Sequence, residues 1–186
     1  MHRAVFLDRD DTLIANRTLA DQPGCAPGDL CDPARVQLLP GVLDACARLA
    51  RAEYLLIVVT NQGVVARGGG TIAQVEATHD RLNALMTVDA NQLLHAIYYC
   101  PYHPAGSVEE YRREHPWRKP SPGMILAAAA DHDIELASSW LIGDARRDAQ
   151  AAIAAGIPAD RCLLLAPHGR VEDLSSAAEH ILAQSV

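Results

Sequence analysis

The stretch Ala4-Val5-Phe6-Leu7-Asp8-Arg9-Asp10-Asp11-Thr12-Leu13 decides how this 186-residue chain is read. Four apolar residues without alternation suit a central parallel strand covered by helices on both faces. In such sheets ligands sit beyond the carboxyl ends of the strands. Asp8 stands where the apolar run ends, and Asp10 comes back over the same spot if the chain turns at Arg9. One carboxylate can then attack or bind a divalent cation while the other moves protons. Taken alone the tripeptide is a weak signal, because two acids ending a strand are more often a solvated turn or the cap of a following helix.

Outward from that strand, residues 15–37 are rich in Asp, Pro and Gly, a long surface excursion expected to shape access to the site. Pro40-Gly41 then opens a helix with Val42, Ala45, Cys46 and Leu49 on one stripe, before the buried-strand run Tyr54-Leu55-Leu56-Ile57-Val58-Val59. Gly68-Gly69-Gly70 leads into Thr71-x-x-Gln74, a capping-box pattern, and a helix carrying Ile72, Val75, Leu82, Leu85 and Met86. A short strand covers residues 96–99, and a loop without periodicity runs from Cys100 to Pro120. Ser121-Pro122 reads as an N-cap with Pro at the first helical position, opening a helix to about His132. Trp140-Leu141-Ile142 is a fourth strand, a helix runs from about Asp148 to Ala155, Cys162-Leu163-Leu164-Leu165 is a fifth strand, and Val171 to Ala183 is a closing helix. This alternation specifies a single α/β domain over 1–186, a doubly wound, mostly parallel sheet with no large cap. His79, His95, His132 and His180 are expected on helix surfaces or as satisfied side chains, and Cys46 and Cys162 as small core hydrophobes.

Bulk composition narrows the function. Apolar residues make up 49% of the chain, enough for a real core, yet no uncharged apolar run approaches the roughly 20 residues of a membrane span. Met1-His2-Arg3 leads straight into a strand, so a cytoplasmic protein is expected, with a monomer favoured. A net charge of -7 leaves no basic surplus for a nucleic-acid backbone, and a small anionic substrate needs a local basic pocket. The scattered Cys25, Cys31, Cys46, Cys100 and Cys162 have no disulfide-framework spacing. Of 16 Lys and Arg residues, Lys119 is the single lysine. Arginine-rich codon usage explains the bias, and a surviving lysine suggests a place where a compact ammonium fits and a planar fork does not.

Four polar signals fall at or after the ends of the expected strands: Asp8 and Asp10, Thr60-Asn61-Gln62, Arg118-Lys119-Pro120, and Gly143-Asp144. Parallel strands gather them on one sheet edge as three carboxylates, a hydroxyl and an ammonium. The chemistry that needs this set is phosphoryl transfer through an aspartyl-phosphate. Carboxylates repel a phosphate unless a divalent cation sits between them, and oxygen-only ligands favour Mg²⁺. Lys119 and the Thr60 hydroxyl then hold the remaining phosphate oxygens.

The order Asp8-x-Asp10-x-Thr12, Thr60, Lys119 and Gly143-Asp144, with Asp148 beyond, resembles the haloacid dehalogenase superfamily of phosphatases. Asp8-Arg9-Asp10, Thr60-Asn61-Gln62, Tyr99-Cys100-Pro101, Gly106-Ser107-Val108-Glu109-Glu110 and Arg118-Lys119-Pro120 resemble its heptose bisphosphate phosphatase and histidinol-phosphatase branch, and the Gly106 to Glu110 stretch leans toward the heptose enzymes. The resemblance implies Asp8 as nucleophile and Asp10 as general acid and then base. It assigns Mg²⁺ to Asp8, Asp144 and the Asp10 backbone carbonyl, and phosphoryl stabilisation to Thr60 and Lys119. Substrate contacts fall to Asn61, Gln62 and Arg118. The implied substrate is a small phosphorylated sugar, with release of the 7-phosphate of a D-glycero-D-manno-heptose 1,7-bisphosphate in nucleotide-heptose synthesis. Arg118, Arg67 and Arg17 are candidates for the second phosphate. A histidinol-phosphate phosphatase is the nearest rival, and a retired phosphate-binding module is the rival of another class.

The chain departs from that pattern at three places. Asp11 stands where the family has glycine; aspartate enters left-handed conformations more readily than most residues, so the turn is expected to survive. Ala145 replaces a lysine frequent in the heptose enzymes, leaving Arg146 or Arg147 to supply the charge. Relatives bind structural zinc through Cys-x-His and Cys-x-Cys, but the loop at about 100–117 keeps only Cys100, with Tyr102, His115 and Trp117 at the other three positions. Structural zinc wants four ligands, so none is expected even with His103 nearby; Tyr102 and Trp117 should pack the loop by contact instead.

Overall fold

A computed structural model describes residues 1–18 and 29–184; residues 19–28 of the expected access loop, with Cys25, lie outside the described residues. The elements in order are β1 (Ala4–Leu7), α1 (Val42–Arg51), β2 (Leu55–Asn61), α2 (Ile72–Leu85), β3 (Thr87–Val88), β4 (Asn91–Gln92), β5 (Leu94–Cys100), α3 (Gly123–Asp131), β6 (Trp140–Gly143), α4 (Arg146–Ala155), β7 (Cys162–Leu164) and α5 (Leu174–Ala183). Five strands form one sheet in the order β5-β2-β1-β6-β7, every pairing parallel.

The unbroken apolar run of β1 is explained by what lies on its two sides. Val5 and Leu7 join one core cluster with Ala45, Leu49, Ala177 and Ile181 of α1 and α5. Ala4 and Phe6 join the opposite cluster with Met124, Ala128, Ala151 and Ala152 of α3 and α4. All four strand residues are 0% exposed. Burying side chains of the size of Val, Leu and Phe stabilises by roughly 1.5–3 kcal/mol each, so a polar substitution on either face of this strand would be severe.

The chain passes from β1 outward through β2 to β5, then crosses back to β6 on the other side of β1 and continues to β7. The direction of winding therefore reverses between β1 and β6, where open α/β sheets place their ligands. Asp8 follows the last residue of β1 and Asp144 the last of β6, one on each side of this point. The Asp8 N–H still donates to Ile142 at 3.0 Å, so the nucleophile candidate is anchored to the neighbouring strand.

Helix α2 begins as its capping box specifies: the Thr71 hydroxyl accepts from the Gln74 N–H at 3.2 Å and the Gln74 side chain accepts from the Thr71 N–H at 2.9 Å. Three starts differ from expectation. Helix α3 begins at Gly123, and Ser121 makes no cap, because the Gly123 N–H donates to Pro116 in the preceding loop at 2.9 Å. Helix α4 begins at Arg146 rather than near Asp148, since Ala145 at the cap offers no side-chain signal. Helix α5 begins at Leu174 rather than Val171, where Asp173 accepts from Ser176 N–H at 2.8 Å. The β3–β4 hairpin was not legible: Asp89 and Ala90 both adopt positive φ, 48° and 65°, without the glycine that marks such a turn. His79 is not at the surface but 6% exposed, edge-on to Tyr99. No described helix is long and apolar enough to cross a membrane.

Candidate active site

Lys119 lies at the centre of the sheet edge. Its side chain is 1% exposed, and its ammonium sits 2.7 Å from Asp8 Oδ1, 2.7 Å from Asp148 Oδ1 and 2.8 Å from the Val59 carbonyl. Three acceptors around three donors suit a compact ammonium. Burial alone would lower its pKa, but Asp8 and Asp148 outweigh that and hold it above the ordinary lysine value. The backbone at Lys119 is set by Asn61, whose Oδ1 accepts from the Lys119 N–H and whose Nδ2 donates to the Lys119 carbonyl, both at 3.0 Å. The Asn61 amide, expected to contact substrate, thus tethers the loop that carries the lysine.

Asp8, Asp144 and Asp148 form one acidic group whose ligand oxygens lie within 4.8 Å of one another. Asp148 completes it from the first turn of α4, where its Oδ2 accepts from the Ala145 N–H at 2.9 Å. A β-carbon at position 143 would lie 2.7 Å from the Asp148 β-carbon, so this approach requires Gly143. Burial, then the neighbouring Asp8, raises Asp144 to about 7, with Arg17 opposing. Burial and Asp8 also raise Asp148, against Lys119. Among the described residues Asp144 Oδ1 is buried without a partner. Crowded carboxylates with an unpartnered oxygen and an all-oxygen donor set fit a hard divalent cation.

Asp10 belongs to a second network. Arg9, buried at 1% exposure, donates from Nε to Asp10 Oδ1 at 3.1 Å and from a terminal nitrogen to Oδ2 at 3.2 Å. Gln62 donates to Asp10 Oδ2 at 3.0 Å and to the Thr60 hydroxyl at 2.9 Å. The Gln62 amide, also expected on the substrate, is therefore engaged with Asp10, Thr60 and Arg9.

A sequence profile described as HAD-hydrolase-like matches residues 116–184. The chain is 39% identical over 154 residues to the D-glycero-beta-D-manno-heptose-1,7-bisphosphate 7-phosphatase of Escherichia coli K12, spanning 83% of this chain and 75% of that one. The chain belongs to the HAD-like hydrolase family. It is also 38% identical over 156 residues to the D-glycero-D-manno-heptose-1,7-bisphosphate 7-phosphatase of Thermosynechococcus vestitus, spanning 82% of this chain and 74% of that one. The solved D,D-heptose 1,7-bisphosphate phosphatase from B. bronchiseptica, complexed with magnesium and phosphate, matches with a TM-score of 0.77 at 29% identity, over 98% of this chain and 99% of that one. This HAD-like hydrolase is a phosphatase acting on phosphoric monoesters.

An open cleft of ≈ 620 Å³ adjoins the carboxylates of the HAD-like site, and Asp10, Asn61, Gln62, Arg118 and Asp144 are all on its wall. Arg17, Arg67 and Arg147 line it too. Two arginines and a histidine converge at Gly63: a β-carbon there would lie 2.9 Å from an Arg67 nitrogen, 3.2 Å from the His103 ring and 3.4 Å from an Arg118 nitrogen. Burial first, and then Arg67 and Arg147, lower the Arg118 pKa. Arg67 pairs with Asp29, and the Ser107 hydroxyl and Val108 N–H close onto the Arg67 and Ala66 carbonyls at 2.9 Å each. Residues 106–108 thus help hold the arginine loop.

Asp11 adopts φ 56°, the left-handed conformation expected at this glycine position of the family. Its Oδ1 accepts from the Asn16 and Arg17 N–H groups at 3.0 and 2.8 Å, and its Oδ2 lies 3.3 Å from Arg17 Nε. Arg17 reaches from there to Asp144. In the loop after β5, Tyr102 stacks on His115 with ring centroids 4.4 Å apart, Arg113 lies 4.1 Å over the Tyr102 ring, and Trp117 meets Tyr98 edge-on at 5.9 Å. His103 and His115 each spend Nδ1 on a backbone N–H, that of Ala105 at 3.0 Å and that of Trp117 at 3.1 Å. Aromatic and cation–π contacts order this loop.

Proposed function

We propose that this phosphatase removes the 7-phosphate of D-glycero-D-manno-heptose 1,7-bisphosphate, in nucleotide-heptose synthesis, through an aspartyl-phosphate on Asp8. The observation that carries the reading is the Asp8–Lys119 contact at 2.7 Å at the sheet edge beside a cleft lined by the four arginines Arg17, Arg67, Arg118 and Arg147. A reacting phosphate needs the first, and a second phosphate on the same small sugar needs the second. The names of the E. coli, T. vestitus and B. bronchiseptica relatives support this substrate. Histidinol phosphate, with its ammonium and single phosphate, would favour acidic contacts over arginines.

Asp8 attacks phosphorus as the bond to the sugar oxygen breaks, and Asp10 gives that oxygen its proton. Water then attacks the acyl phosphate, Asp10 takes the water proton, and the electron pair of the breaking bond returns to Asp8. Lys119 and Thr60 hold phosphoryl oxygens throughout. Asp8 and Asp144, with Asp148 close by, would hold Mg²⁺ together with the Asp10 carbonyl that the family resemblance adds, and the ion would supply the positive charge that lets a phosphate approach these carboxylates. A basic residue at Arg118 and the cluster at Gly63 receive the far phosphate.

The test is turnover of the heptose bisphosphate against histidinol phosphate, with Asp8→Asn beside the wild type. We expect preference for the bisphosphate and loss of Mg²⁺-dependent phosphate release in a folded variant. A clear preference for histidinol phosphate overturns the substrate, and unchanged activity of Asp8→Asn overturns the mechanism.

A further inference from the structure

Arg9 lies between the two aspartates of the first strand end, and no step above uses it. Its guanidinium is almost wholly buried, a position that an arginine keeps only with full compensation. The turn after β1, closed by the Leu13 and Ile14 N–H groups donating to the Arg9 carbonyl at 2.9 and 3.1 Å, places the guanidinium among acceptors. Three partners result: the two oxygens of Asp10, Gln62 Oε1 at 2.9 Å, and Thr78 Oγ1 of α2 at 3.1 Å. The Thr78 hydroxyl is itself fixed, donating to the Val75 carbonyl at 2.7 Å.

Asp10 accepts from Arg9 Nε, from an Arg9 terminal nitrogen and from Gln62 Nε2. Both carboxyl oxygens are therefore held by donors that are themselves fixed, Arg9 through Thr78 of α2 and Gln62 through Arg9. The Asp10 carboxyl is the group that takes the water proton in the second half-reaction. We infer that Arg9 is a positioning residue for the hydrolytic step: with Gln62 it fixes where the Asp10 carboxyl stands, braced through Thr78 against α2. The inference deepens the proposed reading and rests on Asp10 as the base.

The balance of the step is simple. The water oxygen bonds to phosphorus, its proton passes to Asp10, the bond from phosphorus to the Asp8 oxygen breaks, and phosphate leaves with Asp8 restored. The experiment uses p-nitrophenyl phosphate with Mg²⁺, since its leaving group departs without protonation and the first half-reaction is spared. Rapid-mixing kinetics of Arg9→Met, Gln62→Met, Arg9→Lys and Asp10→Asn are compared with the wild type. For Arg9→Met we expect a burst of one p-nitrophenolate per site, accumulated acid-stable phosphoprotein, and kcat and KM falling together by about 10–100-fold, less than the roughly 10²–10⁴-fold that a general base itself contributes, since Asp10 is still present. Gln62→Met should show a weaker version, and Arg9→Lys a partial recovery. If Arg9→Met does not fold, Gln62→Met carries the same comparison. Loss of kcat/KM equal to that of kcat, with no burst in either folded variant, overturns the inference. Absence of a burst in Asp10→Asn instead overturns the reading of Asp10 on which it rests.

Discussion

Replacing Lys119 by methionine keeps most of the length of the unbranched side chain and removes its charge and donors. The ammonium sits 2.7 Å from carboxylates that are themselves 4% and 0% exposed, so its loss leaves Asp8 and Asp148 buried without a counter-charge beside Asp144. Removing one partner of a buried ion pair costs about 3–5 kcal/mol, a large share of the roughly 5–15 kcal/mol that holds a domain folded. The loss should grow with pH. Burial and Asp8 already hold the partner Asp148 above the ordinary carboxylate range against Lys119, and without the lysine that opposition is gone, so protonation relieves the cluster at low pH and the penalty grows as pH rises. A divalent cation replaces the missing charge, and ligand at 100 times its Kd adds about 2.7 kcal/mol. Denaturant unfolding in chelator and in Mg²⁺, at pH 6 and pH 8, measures all of this. We expect Lys119→Met to be weaker than wild type in chelator, most of all at pH 8, and to gain more from Mg²⁺ than wild type does. Activity should fall about 10²–10³-fold, as for loss of one preorganised donor. Equal midpoints in chelator, or an equal gain from Mg²⁺, would refute the argument that this lysine balances the carboxylates.

Two further outcomes follow from His79 and Asp11. Burial, and then Arg9, lower His79 to about 3, so the folded state binds its proton less readily than the unfolded chain; the contribution is complete above about 6.5 and is lost as pH falls toward 3. Between pH 8 and pH 5 this group should cost about 2 kcal/mol of unfolding free energy, a drop that His79→Phe should lack in parallel denaturant titrations. At Asp11, Ala removes the acceptor for two backbone N–H groups while keeping a β-carbon at φ 56°. Asp11→Ala should lose about 1–2 kcal/mol and Asp11→Gly less, because glycine carries no left-handed penalty. Thermal unfolding that ranks Ala at or above Gly would contradict this account.

Much of the fold was legible because its determinants are local. Two-sided burial of β1 is written in four consecutive apolar residues, and the capping box at Thr71 is written in residues three apart. The same holds for Asp8, Asp10, Asp144 and the lone Lys119, since strand ends in a parallel sheet share an edge whatever the strand order. Where local signals were absent, boundaries slipped. Ala145 offers no cap, so α4 was placed late and Asp148 was not counted among the site residues, although it stands one helical turn beyond Asp144.

What the linear chain determined, then, is the alternation of elements and the chemical types delivered to one edge, because periodicity and strand-end position are properties of neighbouring residues. Which groups touch was decided only by tertiary structure. Asn61 and Gln62 look like free amides in the sequence, yet one is spent on the Lys119 backbone, 58 residues away, and the other on Asp10, 52 residues away. Arg9 looks like a spacer between acids and becomes the clamp on one of them. Those roles depend on the reversal of winding between β1 and β6 and on the seating of α2 and the Lys119 loop. Contacts across such separations leave no pattern in the sequence, because the physics that selects them acts through space.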